Sequence, residues 1–493
     1  MTMNAVRGRV FCAGVVAAVA VLGGCASLTA PSHQDAFDKA MAGTDVPPAW
    51  SSAAEAQAFQ PAWIGFAEDA QLRQLIDEAL SRNPDMRAAG YRLEQARLQM
   101  KLAGADLLPT VTFGAKYSDS LQPANGLDIN GFGVVLNWEL DLWGRARAEK
   151  KAGEAAYRSA EADYVYARQS LAAATTRAWL LSIAATRQTA LAQDMQQASH
   201  RQAGLVADRE HVGKASRQDL AVAQAQAQSF EDSAYMAEQG RLQALRALEL
   251  VVGRYPSATV AVPAALPEGL QPVPAGVPAD LIARRPDLLA ARQRYEAAFF
   301  NREEAKAARL PRLALNAGAG HLTSDYVQFK NGLDSTVFPV GAKLLWPLFD
   351  AGRLKTNVLI RDQQQQEAAA DYAKTILVAY GEVENALTAD AMLQRREQVL
   401  TGQVASLRTA LSAANDQYRV GKADQYGVLQ QQLSLDAAQI DLLRVAAERR
   451  TQRVNLHLAL GGDFAAPAPE AAPATSGTGA AGGQAGESVT QLH

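Results

Sequence analysis

Glu139 and Asp141 stand two positions apart, a carboxylate pair of the kind that general acid–base chemistry uses. Their setting argues for another role. Both lie in Trp138-Glu139-Leu140-Asp141-Leu142-Trp143-Gly144-Arg145, where a strand pattern runs straight into a helix pattern. A carboxylate there complements the positive N-terminal end of the helix. The six histidines are scattered, and no HExxH, phosphate loop or nucleophile elbow occurs. His211, at a turn, and His457, in the last helix, read as surface or packing residues rather than ligands. The two cysteines are Cys12 and Cys25, so everything beyond residue 25 is free of thiols. Disulfides, thiolate metal sites and cysteine nucleophiles are thereby excluded from the body of the chain. These residues point away from an enzyme and from any cofactor other than a covalent lipid.

That lipid is expected at Cys25. Arg7 and Arg9 are followed by an apolar run from Val10 to Leu22, too short to span a membrane as a helix. Leu22-Gly23-Gly24-Cys25 then has the pattern of a bacterial lipoprotein signal. On that resemblance residues 1–24 are removed, and Cys25 carries an N-acyl diglyceride and palmitate. Each buried CH₂ contributes about 0.8 kcal/mol, so several acyl chains anchor firmly. No Asp follows Cys25, which by lipoprotein sorting rules implies the outer membrane.

A formal net charge of −3 spread over 493 residues, with no long basic run, excludes nucleic acid as a partner. Long tracts of Ala, Gln, Arg, Glu and Leu favour helix. After residue 25 no apolar stretch reaches the roughly 18 residues of a spanning helix. If this chain crosses a membrane it must do so as β-strands.

The strand-to-helix junction occurs twice, the second time as Leu344-Leu345-Trp346-Pro347-Leu348-Phe349-Asp350-Ala351-Gly352-Arg353. Arg82-Asn83-Pro84-Asp85 recurs as Arg284-Arg285-Pro286-Asp287, and Leu108-Pro109 as Leu310-Pro311, both 202 positions on. Trp138 recurs at Trp346, Val212-Gly213-Lys214-Ala215 at Val420-Gly421-Lys422-Ala423, and Gly253 at Gly461, all 208 positions on. An ordered series with one change of offset reads as two structural repeats, 68–253 and 280–461, differing by a surface-loop insertion. Residues 254–279 form a Pro-rich linker. Residues 25–67 are expected to wrap the outside as an extended arm, and the Ala/Pro/Gly/Ser-rich residues 462–493 to be a disordered tail.

Each repeat reads as helix, strand, loop, strand, long helix, sharp turn, helix. The first helix is expected from Asp69 to Ala105, ending before Pro109. Strands are expected at about 110–118 and 131–139, then at about 312–320 and 337–346. Val111, Phe113, Ala115 and Tyr117 alternate with Thr110, Thr112, Gly114 and Lys116; Phe132, Val134, Leu136 and Trp138 share a face. Leu313, Leu315, Ala317 and Ala319, and Val340, Ala342, Leu344 and Trp346, repeat the pattern. One apolar face with aromatics near the ends suits a lipid-facing barrel strand. Four strands cannot close a barrel, for which about eight are needed. The chain must therefore assemble symmetrically to complete its sheet. From Gly144 to about Glu210, and from Arg353 to Arg419, no breaker interrupts the helix pattern, a length of roughly 100 Å. Ala160, Tyr164, Ala167, Leu171, Ala174, Ala178, Leu181 and Ala185 recur at alternating four and three, predicting an alanine-rich packing seam.

Both long helices end on the same turn. Gly213 and Gly421 suit a left-handed helix end. Ser216, with Asp219 three residues on, caps one returning helix in an imperfect capping box, and Asp424 caps the other. Val212, Gly213, Lys214, Ala215 and Ser216, and Val420, Gly421, Lys422, Ala423 and Asp424, are candidate docking points at the tip of a stalk. Asp208 and Asp416 are equivalent positions one helical turn earlier. Gathered around an axis they would make a cation-selective constriction. Arg209 and Arg419 are candidate links that hold it shut.

The chain resembles the outer-membrane efflux factor family, the TolC-like channels, in particular the lipoprotein (NodT-type) components of tripartite multidrug pumps. The resemblance is carried by Leu22-Gly23-Gly24-Cys25, Pro109-Thr110-Val111, Trp138 to Arg145, Arg285-Pro286-Asp287, Pro347 to Arg353 and the two Val-Gly turns. It implies a mixed fold, mostly α-helical with a membrane β-barrel. Each chain of a homotrimer supplies two repeats to a 12-stranded barrel continued by a 12-helix periplasmic α-barrel. It implies docking of the tips to a periplasmic adaptor (membrane fusion protein), an inner-membrane RND pump beyond it, a gate near Asp208 and Asp416, and passive export of drugs or other small solutes. Lys214 and Lys422 depart from the family, which often has an apolar residue after the tip glycine. A type I protein-secretion channel would share the architecture and is the alternative. A periplasmic adaptor would have one hairpin and small β-domains, and a lipid-anchored enzyme would need a site that is absent from the motifs.

Overall fold

The computed structural model describes residues 47–52, 69–116, 130–274, 276, 278–323 and 336–462. Cys25, the signal segment, Tyr117 and nearly all of the arm and tail lie outside the described residues.

The first expected helix is two. α1 (Ala70–Arg82) starts at Asp69, whose Oδ1 accepts from the Gln71 and Leu72 amides, both at 2.9 Å. It stops at Asn83, held extended because Pro84 follows. Asn83 Oδ1 then accepts from the Asp85 and Met86 amides at 2.8 and 3.3 Å, opening α2 (Pro84–Ala105) with proline at its first turn. The single helix expected over Asp69 to Ala105 is thus corrected by a capping signal, Asn-Pro, that the sequence already contained.

Two strands follow, β1 (Thr110–Lys116) and β2 (Asn130–Leu140). α3 (Arg145–His211) is 67 residues long and returns through α4 (Arg217–Val252). Repeat two gives α5 (Pro278–Arg284), α6 (Pro286–Ala307) and β3 (Arg312–Thr323), which runs further than expected. The expected strand 337–346 is split into β4 (Thr336–Val337) and β5 (Val340–Leu345). Pro339 cannot donate to a ladder, and its carbonyl instead accepts from the Gly318 amide at 2.8 Å. α7 (Arg353–Arg419), again 67 residues, and α8 (Gln425–Ala459) complete the chain. No described helix is long and apolar enough to cross a membrane.

The sheet is antiparallel, ordered β1-β2-β3, with β4 and β5 both on the far side of β3. Its register settles the faces. Val111, Phe113 and Ala115 lie opposite Leu136, Val134 and Phe132; Trp138 meets Leu315, and Leu313 meets Leu344. All the apolar alternates therefore share one face, and Val111, Phe113, Phe132, Val340 and Leu344 are exposed on it. The other face carries Thr112, Asn137, Asn316 and many glycines. A Cβ at Gly133 would stand 3.0 Å from the Ala319 carbonyl, and one at Gly320 would stand 3.0 Å from that of Phe132. Glycine is required there because neighbouring backbones crowd that face. Among the described residues, β1 and β5 each keep one unpaired edge.

Below the sheet the helices form a wall. α3 packs on α2 and α6 in its upper part, on α4 and α8 in its lower part, and α7 flanks α6 and α8. The two repeats therefore meet along α3. The predicted alanine seam is displaced. Ala160, Tyr164, Ala167, Leu171, Ala174, Ala178 and Ala185 are only half-buried, and Leu181 is exposed. The buried stripe runs through Ala152, Ala155, Ser159, Ala172, Thr176, Trp179 and Ile183. Alanine occurs on several faces of α3, so spacing alone does not select the one that packs. Buried hydroxyls are compatible with this stripe because Thr176 donates to the Ala172 carbonyl at 2.8 Å.

Two equatorial cores hold the wall. One joins Leu72, Leu75 and Ile76 to Trp179, Leu180, Ile183, Leu248 and Val454, with linker residues Val260, Val262 and Leu266 packed against it. The other joins Leu281 and Leu288 to Tyr372, Ile376, Val383 and Leu456, and includes Trp50. The described piece of the arm is clasped. Trp50 meets Tyr380 edge-on at 5.7 Å, and the Ser51 and Ser52 amides donate to Glu384 at 2.7 and 3.0 Å.

Candidate functional site

The recurrent junction is a built hinge between sheet and stalk. Asp141 accepts from the Ala146 and Arg147 amides at 3.2 and 3.0 Å and from Arg147 Nε at 2.9 Å. Gly144 is left-handed at φ 78°. In repeat two Asp350 accepts from the Gly352 and Leu354 amides at 3.0 and 2.9 Å, and Ala351 and Gly352 are left-handed. The helix-terminal role expected of the carboxylates is thus filled by Asp141. Glu139 instead pairs with Arg145 at 3.0 Å, which also meets Glu149 at 3.1 Å. Trp143, in the same motif, donates its indole N–H to the Pro311 carbonyl at 2.7 Å and ties the repeats together.

Burial raises the Asp141 carboxyl, but the Arg147 side chain and the two amides outweigh it and hold the group below the ordinary carboxylate range. With the folded value depressed, this contribution is complete above the unfolded value of about 3.9 and is lost as pH falls through the folded value. Asp141→Ala should therefore destabilise the fold by about 1–2 kcal/mol at neutral pH, measured by denaturant titration, and by progressively less in acid.

At the far end both turns close as expected. Gly213 and Gly421 have φ of 69° and 73°. The Lys214 amide reaches the Arg209 carbonyl at 2.7 Å, and that of Lys422 reaches Gln417 at 2.9 Å. The capping box is complete rather than imperfect: Ser216 Oγ accepts from the Asp219 amide at 3.1 Å, and Asp219 accepts from the Ser216 amide at 2.9 Å. Asp424 accepts from the Gly427 amide at 2.9 Å. Val212, Lys214, Val420 and Lys422 are exposed, while Ala215 and Ala423 are half-buried.

Among the gate candidates, Asp416 and Arg419 lie 3.6 Å apart on one exposed helix turn. Arg209 places its guanidinium 4.1 Å from the centre of the Tyr418 ring, a contact between the two long helices. Asp208 is exposed. Tyr418 was missed in the sequence, although an aromatic beside Arg419 at a stalk tip was a visible signal. Also missed was a buried ionic belt on the equator. Arg453 holds both oxygens of Asp390 at 2.8 and 2.9 Å, while Arg449 and Arg450 hold Glu397 at 2.8 and 3.1 Å. Arg450 also donates to the Pro267 carbonyl at 2.7 Å, and Arg453 to that of Gln271, which pins the linker across the wall.

No group of three or more His, Cys, Asp or Glu among the described residues is placed to hold a metal ion. His211 is exposed, and His457 is fully buried in the last helix. A sheet apolar on one face, continued by a wall of helices about 100 Å long, defines a class: the staves of a membrane channel rather than an enzyme.

The model of the outer membrane efflux protein family matches residues 75–254 and 277–462, and the chain belongs to that family. It is 31% identical over 451 residues to the pyoverdine export outer membrane protein OpmQ of Pseudomonas putida, covering 86% of this chain and 93% of that one. It is 30% identical to the outer membrane protein OprJ of Pseudomonas aeruginosa, covering 82% of this chain and 86% of that one. Among solved structures, the open state of the Neisseria gonorrhoeae MtrE outer membrane channel superposes with a TM-score of 0.77 at 26% identity, covering 86% of this chain and 96% of that one. The protein is an outer-membrane efflux channel component, not an enzyme.

Proposed function

We propose that three copies of the chain close into one passive duct, with the sheets forming a 12-stranded membrane barrel and the helical walls a 12-helix periplasmic tunnel. The observation that carries this is the pair of open edges. Among the described residues β1 and β5 each leave one edge unpaired, and below them α7 is one border of the wall and α2 and α4 the other. Unpaired backbone groups in hydrocarbon cost several kcal/mol each, so β5 of one copy pairs with β1 of the next. The helical borders match. Tyr91, Leu98 and Leu102 are exposed on one, and Leu377, Met392 and Val399 on the other. Such a head-to-tail contact closes a ring. Light scattering of the detergent-solubilised protein should give three chains per particle; a monodisperse monomer would overturn the assembly.

Cys25 carries the N-acyl diglyceride and palmitate, which anchor the chain in outer-membrane lipid. The tips around Val212-Gly213-Lys214-Ala215-Ser216 and Val420-Gly421-Lys422-Ala423-Asp424 dock a periplasmic adaptor, which connects the duct to an inner-membrane RND pump. The cargo is drugs or other small solutes, as the export and efflux names of the relatives suggest.

The tips also close the duct. Arg209 on Tyr418 and Arg419 beside Asp416 hold the long helices together, and Asp208 and Asp416 set a negative rim. An exposed cation–π contact contributes about 0.5–1 kcal/mol per chain, and three copies act together in the ring. Arg209→Ala is expected to raise single-channel conductance severalfold with no change in melting temperature. Unchanged conductance in both Arg209→Ala and Tyr418→Ala would remove this contact from the gate.

A further inference from the structure

α3, α4 and α8 enclose a groove of about 1190 Å³ in the lower wall, just below the equator. Its lining is mainly apolar, including Leu181, Met195, Phe230, Met236 and Ile440. One lining residue is out of keeping. Asp436 is 4% exposed; its Oδ1 accepts from Gln432 at 2.8 Å, and its Oδ2 has no partner. A buried carboxylate oxygen without a donor is a standing cost, and no cation among the described residues pairs with it. α3 and α4 contribute no charged group to the lining, and α8 contributes only Arg444 and Glu448 besides Asp436 itself. Arg444 is engaged by Asp441 at 2.9 Å. On the neighbouring face α7 packs through Val404, Leu407 and Leu411 against Leu435 and Ala438, all apolar.

We propose that this groove is a binding site for amphipathic organic cations, with Asp436 as counter-charge and the apolar side chains as the seat for the hydrophobic body. The proposal deepens the channel reading by giving the duct wall a preferred class of solute. A pocket of this size and lining suits a drug-sized ligand, and its one buried charged group, the Asp436 carboxylate, selects the sign of the charge. The cationic group supplies the counter-charge that the buried carboxylate lacks. Burial pushes the Asp436 carboxyl up to about 6, so the site is mostly ionised at pH 7.5 and mostly neutral at pH 5. A cation at the site competes with that proton, and binding weakens in acid.

The test is calorimetric titration of the full-length channel, reconstituted in nanodiscs, with tetraphenylphosphonium, and with tetraphenylborate as an anion of the same shape. Empty nanodiscs give the background. The expected result is saturable binding of the cation, one per chain, weakened roughly tenfold in D436N and at pH 5, with no saturable binding of the anion. D232N, which alters an exposed acid on α4 outside the lining, should bind as wild type. Equal affinity in wild type and D436N, equal binding of the anion, or no saturable binding overturns the proposal. D436N keeps the side-chain shape and removes a buried charge, so it should melt no lower than wild type. Conductance of the same preparations is read in parallel: open channels without selective binding defeat the site alone, whereas absent channels defeat the duct.

Discussion

Replacing Arg453 by alanine should cost about 3–5 kcal/mol, the largest effect of any side chain on the equator. Arg453 is 3% exposed and grips both oxygens of Asp390, itself 5% exposed, while donating to the Gln271 carbonyl of the linker. Removing it strands a carboxylate in the interior. Arg449 stands 3.6 Å from one Asp390 oxygen, which softens the loss without restoring the two-pronged contact. The linker loses a clamp in the same step. Chemical denaturation followed by far-ultraviolet circular dichroism reads the change. The double replacement R453M/D390L should be milder than R453M alone, because it removes both charges instead of isolating one. Additive losses would show that the pair is not coupled and that the clamp on Gln271 carries the effect.

The second large effect is expected at Gly253. Its φ of 86° is left-handed, and an added Cβ would stand 3.1 Å from the carbonyl carbon and oxygen of Arg82. The first repeat closes there: Asn83 Nδ2 donates to the Val251 carbonyl at 2.8 Å, so the α1–α2 break is seated on the end of α4. Repeat two builds the same joint, with Arg285 Nη1 donating to the Ala459 carbonyl at 3.0 Å and Gly461 left-handed at 74°. Gly253→Ala is expected to cost roughly 2–4 kcal/mol, from about 1–2 for the left-handed backbone and the rest from overpacking against main chain. Gly213 supplies the comparison. Its φ is 69°, but nothing lies within 4 Å of an added Cβ, so Gly213→Ala should cost only the backbone share, about 1–2 kcal/mol. Equal melting of the two variants would mean that the joint gives way easily and does not fix the repeat.

These joints show what was legible in the sequence. Asn83-Pro84 and Arg285-Pro286 recur in register, and with them the doubled architecture, both 67-residue helices and the tip turns can be read from spacing. The strands were readable because a face apolar at every second position survives as a pattern along β1, β2 and β3. The break at Pro339 was written in the chain, but it falls inside an alternation that runs straight through it. The packing seam of α3 was not legible, because alanine offers several equivalent stripes and only the neighbours α1, α4 and α8 select one. The ionic belt was beyond reach for a different reason. Asp390 and Arg453 are 63 positions apart on separate helices, and charged residues there look no different from those on a solvated face. Asp436 is hidden in the same way: its isolation depends on what α3 and α4 do not provide.

In the proposed channel, unfinished sheets become a pore only when copies join. Planar-bilayer recording of the purified protein tests that most directly. Discrete, reproducible conductance steps are predicted, with step size set by the tips and enlarged in the Arg209→Ala variant. Folded, homogeneous protein that inserts but yields no steps, in both wild type and that variant, would contradict it.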